Sequence, residues 1–154
     1  MATVYSIQKT KWDQNTPAEN IKPHEMAGRQ RVAFGQYEAA AIASGTVIEM
    51  FNLPNGARIL SGECTYDALD TSSTLSVGHA AYVDSDGDAV ALDVDEFKAA
   101  AASTTAQTVV VADTIALGKN SVVDANEDGI PVTVVTAGAE LSGTIMLAMT
   151  YVVD

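Results

Sequence analysis

Three apolar, β-branched runs dominate the stretch from Thr46 to Val83, TVIEMFNLPNGARILSGECTYDALDTSSTLSVGHAAYV, separated by LPNGA and LDTSS. Val47, Ile48, Met50 and Phe51 make the first run, and Ile59, Leu60, Cys64 and Tyr66 the second. Leu75, Val77, Ala81 and Val83 recur at a spacing of two in the third. Alternation bounded by Pro-Asn-Gly and Asp-Thr-Ser turns predicts half-buried antiparallel strands. Further along, QTVVVA and TIALG are split by Asp113, and IPVTVV carries Pro131 near its start, where a missing donor is tolerated. From Ser142 to Val153, Ile145, Leu147, Met149, Tyr151 and Val153 alternate with Met146, Ala148, Thr150 and Val152. Both phases are apolar enough to predict a central strand covered on both faces. One segment breaks the pattern: Asp93 and Glu96 have capping-box spacing ahead of Phe97–Ala102, which predicts a short helix at 94–102.

The N-terminal region has no such period. Lys9 to Pro23 is polar and contains Pro17 and Pro23, which exclude a continuous helix or a central strand. Tyr5, Ile7, Trp12 and Ile21 are scattered through it. Such a segment buries too little apolar surface alone to offset its ordering entropy, so it should be an extended arm seeking partners on the body or on another chain. A strand is expected around Arg31–Tyr37, then an alanine-rich turn before Gly45. The chain thus divides into an arm and lead-in, 1–44, and a body, 45–154. With about eight strands and one short helix, the expected fold is all-β: a two-sheet β-sandwich of jelly-roll type with an extended N-terminal arm.

Charge sharpens the division. The formal net charge is −12, yet Lys9, Lys11, Lys22, Arg29 and Arg31 face only three acids in the first 31 residues, a net +2. The remainder sets Arg58, Lys98 and Lys119 against seventeen acids, a net −14. An acidic body repels nucleic acid, and no apolar run reaches the ~18 residues that cross a bilayer. MATVYSIQKTKW lacks the apolar stretch of a signal peptide, so a soluble product made in the host cytoplasm is expected. Neither a nucleic acid nor a membrane is an expected partner.

Candidate chemistry is sparse. Cys64, the single cysteine, excludes an intrachain disulfide and a cysteine-based metal site, and its place in a strand run makes it a small core hydrophobe. Asp124, Asn126 and Asp128 before Gly129 match the first half of a calcium loop, D-x-N-x-D-G. The bidentate Glu such a loop needs is replaced by Val135, so the turn reading is preferred to calcium; the same holds for Asp84, Asp86 and Asp88. His79 falls in phase with Leu75 and Val77, which predicts an interior or sheet-end histidine. There is no G-x-S-x-G elbow, H-E-x-x-H helix or glycine-rich phosphate loop, so the expectation is a protein without catalysis or cofactor.

GTVIEMFNLPNGARILSG, then TYDALDTSSTLSVGHAAYVD and the closing GTIMLAMTYVVD resemble a family of small virion proteins of tailed bacteriophages, many from marine and cyanobacterial hosts. The resemblance spans residues 30–154. It implies a capsid decoration, or cement, protein: a non-enzymatic β-sandwich on the outer head surface that binds and stabilises neighbouring major capsid proteins, often as a homotrimer. The apolar strands in excess of one buried face, notably Ser142–Val153, point to the same oligomer. Tyr5, Lys9, Lys11, Trp12, Arg29 and Arg31 are the candidate partner contacts, since aromatic and arginine residues dominate interface energetics. Two other classes stay open on the sequence. One is a calcium-dependent glycan-binding sandwich using the aspartate loops; the other is a tail or neck component.

Overall fold

The computed structural model describes Ser6, Lys9, residues 28–138 and residues 140–153. In chain order the strands are β1 (Gln30–Ile42), β2 (Val47–Leu53), β3 (Arg58–Tyr66), β4 (Thr74–His79), β5 (Tyr82–Val83), β6 (Ala89–Val90), β7 (Asp93–Ala102), β8 (Gln107–Val111), β9 (Ile130–Ala137) and β10 (Leu141–Val152). Two four-stranded antiparallel sheets form, ordered β1-β10-β3-β8 and β2-β9-β4-β7, with β5 and β6 as a small separate ribbon. The pairing follows one rule: β1 with β10, β2 with β9, β3 with β8 and β4 with β7. The chain behaves as one long hairpin folded over so that each sheet draws strands from both arms. That is the connectivity of a jelly roll.

The core lies between the sheets. Leu141, Ile145, Leu147 and Met149 of β10 and Ile59 and Cys64 of β3 face Leu53, Leu75, Val77, Val132 and Val134, all essentially inaccessible to solvent. Since alternate residues of a strand point to opposite faces, the register Leu147↔Cys64↔Val109 is an inner row and Ala148↔Glu63↔Val110 an outer one. Glycine allows close approaches where side chains would collide. A Cβ on Gly78 of β4 would lie 2.1 Å from the Asp93 carbonyl oxygen, so β7 crosses β4 only because position 78 is bare.

Three expectations need correction. Residues 93–102 form strand β7 rather than a helix. Asp93 accepts from the Asp95 amide (3.1 Å), a two-residue Asx turn in place of a capping box, and Thr74↔Ala102 and Leu75↔Ala101 pair the alanine run with β4. An isolated helix under ~12 residues is marginal, and burial of Phe97 against the core outweighs alanine's helical preference. Among the described body residues the helical element is instead a 3₁₀ turn at Ile115–Leu117, within TIALG. The third apolar run is not continuous: β4 ends at His79, the Ala80 amide bonds the Pro131 carbonyl (2.9 Å), and Tyr82–Val83 turns away to pair with β6. β10 is central in pairing, as expected, but only its inner face is sealed; Met146, Ala148, Thr150 and Val152 stay half-buried. The strand expected around Arg31–Tyr37 forms and extends over Gln30–Ile42.

Candidate interaction surface

β1 is an edge strand with large apolar residues, Val32 and Phe34, on the face turned away from the core. Its inward phase holds Ala33, Gly35, Tyr37 and Ala39; Gly35 is bare because β2 lies against it, and a Cβ there would sit 2.8 Å from the Met50 carbonyl oxygen. The outward phase carries Val32 and Phe34, 62% and 59% exposed. Phe34 heads an outer row that runs in register through Ala148 and Glu63 to Val110, which is 48% exposed on the far edge strand. The next row is Gln36, Met146, Thr65 and Thr108, the last two joined by a hydroxyl–hydroxyl hydrogen bond of 2.8 Å. The outer face of this sheet is therefore a mixed surface, apolar at both edges and acidic at Glu63.

Of the residues expected to touch a partner, Tyr5, Lys11 and Trp12 lie outside the described residues. Lys9 is exposed, and its backbone N–H donates to Ser6 Oγ at 3.1 Å. Arg29 and Arg31 are exposed where the chain enters β1, and Arg31 registers with Tyr151 near the end of β10. Arg31 shares the phase of Ala33 and Gly35, so it lies on the opposite face of β1 from Val32 and Phe34, two exposed residues that the sequence pattern alone does not mark. The pattern RVAFGQY carries the alternation, but nothing in it says which phase is buried.

The aspartate loops act as turns. Asp84 Oδ1 accepts from the amides of Asp86 (3.0 Å) and Asp88 (2.8 Å), and Asn126 Oδ1 accepts from the Asp128 amide (3.0 Å). Asp124 Oδ1 accepts from the Ser85 hydroxyl and amide, which ties the two loops together. Gly129 closes the second turn at φ 76°, and a Cβ there would lie 2.3 Å from the Leu53 carbonyl oxygen. Among the described residues, no group of three His, Cys, Asp or Glu side chains is placed to hold a metal ion.

A hollow of about 140 Å³ opens at the end of the sandwich near these loops. Ile59, Val123 and Ile130 form its apolar wall, and His79, Tyr82, Phe97, Glu96 and Asp124 line the rest. His79 is on the face shared with Leu75 and Val77 and is 8% exposed. Its Nδ1 donates to the Ala80 carbonyl (2.9 Å), and its ring meets Tyr82 edge-on at 5.2 Å. Burial, then the charges of Asp124, Asp84 and Glu96, push the Tyr82 hydroxyl pKa up. Burial alone pushes the Cys64 thiol up to about 12, so it is an inert core group.

No protein-family model and no curated protein matches this sequence. Among solved structures, a chain of the cyanophage Pam1 capsid asymmetric unit superposes with a TM-score of 0.61 at 20% identity, covering 87% of this chain and 91% of that one. A chain of the Ralstonia phage GP4 capsid gives 0.61 at 25% identity, over 84% and 88% of the two chains. One from the capsid of Helicobacter pylori bacteriophage KHP30 gives 0.53 at 12%, over 80% and 87%. The chain shares its fold with proteins found in phage capsids.

Proposed function

We propose that the chain is a non-enzymatic structural protein of a phage virion, and within the virion a decoration protein that binds the outer head surface and bridges neighbouring major capsid proteins. Support for the coarser part is the similarity to phage capsid chains over nearly the whole length of both partners. The observation that carries the finer part is the edge strand β1: Val32 and Phe34 stand in solvent on its outer face, in the strand that follows the basic N-terminal segment. Large exposed apolar groups on an edge strand, continuous with a mixed polar face, have the composition of a contact surface. Residues 1–27, with Tyr5, Lys9, Lys11 and Trp12, extend that contact as an arm that adds main-chain hydrogen bonds and side-chain anchors on the partner. Many copies on a lattice convert modest affinity per copy into tight attachment.

Copies associate as homotrimers through the half-buried outer residues of β10, in solution or on the lattice. Co-sedimentation of the purified protein with heads assembled from the major capsid protein of the same phage tests the attachment. Saturable binding at a fixed ratio of copies is the expected result, and no binding refutes it. Light scattering at high concentration, together with particle imaging, tests the trimer: a monomer in solution and isolated single copies on the particle would refute it.

A further inference from the structure

Asn55 and Gly56 form the centre of the turn from β2 to β3, where the Ala57 amide bonds the Pro54 carbonyl (3.1 Å) and Gly56 takes φ 76°. An asparagine followed by glycine is chemically unstable, because no side chain keeps the glycine nitrogen from attacking the asparagine amide carbon. A new C–N bond closes a five-membered imide, and the amide nitrogen leaves with the glycine proton as ammonia. Water then opens the ring at either carbonyl, giving aspartate or an isoaspartate whose main chain runs through the side chain. An amide yields to this attack more readily than a carboxylate anion, so Asn55 ranks ahead of Asp86 and Asp128, which also precede glycine. The Asn55 side chain is exposed, and apart from its chain neighbours no atom lies within 4 Å of where a Gly56 Cβ would stand.

Two contacts withhold the reacting groups. The Gly56 N–H, whose proton must be lost, donates to the Val123 carbonyl (2.9 Å), and Asn55 Oδ1 accepts from the Ala125 amide (3.4 Å). Both partners belong to the segment 120–125, which lies antiparallel to the start of β3. There the Val123 amide bonds Ala57 (2.8 Å), the Ile59 amide bonds Ser121 (3.0 Å), and the Asn120 amide bonds Ile59 (2.8 Å). We propose that Asn55 is a deamidation site gated by this segment, reacting only from conformations in which 120–125 has come away from the turn. The modification is one-way. Leu53 and Ala57, on either side of the turn, have no exposed surface, and the extra main-chain methylene of isoaspartate breaks the spacing that buries both. A copy that has opened for long enough is left marked and unable to close as before. This chemistry is independent of where the chain sits on a particle.

Peptide mapping by mass spectrometry, on the full chain held at mildly alkaline pH, tests the inference. The tryptic peptide 32–58 carries Asn55, and fragmentation separates it from Asn52. In urea Asn55 should deamidate, with isoaspartate among the products. In the folded protein the rate should fall by about tenfold or more, since it follows the population of the open form. Hydrogen exchange at the Gly56 amide, which needs the same bond to Val123 to break, should be slowed to a similar degree. Val123→Ala trims a core contact of the gating segment and should speed exchange and deamidation together, several-fold. Ser121→Ala gives a second variant should that one unfold, because the Ser121 hydroxyl ties the start of the segment to the Gly118 carbonyl (2.6 Å). Equal rates in folded and unfolded protein, a wild-type rate of deamidation in both variants, or no Asn55 product in urea would overturn the inference.

Discussion

Replacing Val32 and Phe34 together by threonine separates a contact surface from a core surface. Both side chains project from the outer face of β1, with 62% and 59% of their area in solvent. Complete burial of such a side chain contributes about 1.5–3 kcal/mol, so covering the part still exposed gives roughly 1–2 kcal/mol each. Loss of both contacts should cost about 2–4 kcal/mol per copy, which weakens single-copy attachment by roughly 30- to 900-fold. Threonine keeps the β-branched shape suited to a strand, and surface changes of this kind stay within about 0.5 kcal/mol per site in folding stability. Urea unfolding of the double variant should therefore overlay the wild type closely, while co-sedimentation with heads should require far more protein. Wild-type occupancy at wild-type concentration would show that β1 does not face the capsid. A large loss of folding stability would show that the two residues belong to the core.

Removing residues 1–27 should leave cooperative unfolding in place, because β1 begins at Gln30, and should sharply reduce attachment to heads. Raising salt should weaken wild-type attachment only in part, since screening acts on Lys9 and Lys11 and not on aromatic burial. Calcium should leave the melting temperature unchanged, measured by calorimetry with and without chelator. A site held at 100 times its dissociation constant would add about 2.7 kcal/mol, a shift of several degrees that would overturn the turn assignment of Asp84–Asp88 and Asp124–Asp128. Cys64 should resist a thiol reagent at pH 8 until the protein unfolds. Its folded pKa is raised to about 12, so its contribution to stability is complete below the ordinary thiol pKa and is lost as the pH climbs towards 12.

Strand positions were legible because period-two alternation survives wherever one face is buried. Leu75 and Val77 of β4 and Ile145, Leu147 and Met149 of β10 all face the core in the phase their spacing predicts. The segment 93–102 was misread because alanine and a chance Asp–Glu spacing describe local preference, whereas pairing with β4 decides the outcome. That error also hid the end hollow, since Glu96 and Phe97 reach it only from a strand. His79 could be placed on the inner face from its phase, but its neighbours Tyr82 and Asp124 come from separate elements that no local pattern brings together. In β1 the alternation was visible and its sense was not. Gly35 must pack against the Met50 backbone, and that tertiary contact turns Phe34 outward.

Immunogold labelling of intact particles with an antibody against the β-sandwich body tests the central claim most directly. A decoration protein on the outer head surface predicts gold over the whole head, many particles per virion, and none on the tail. Label confined to the tail or neck, or absent from particles that contain the protein by mass, would contradict it.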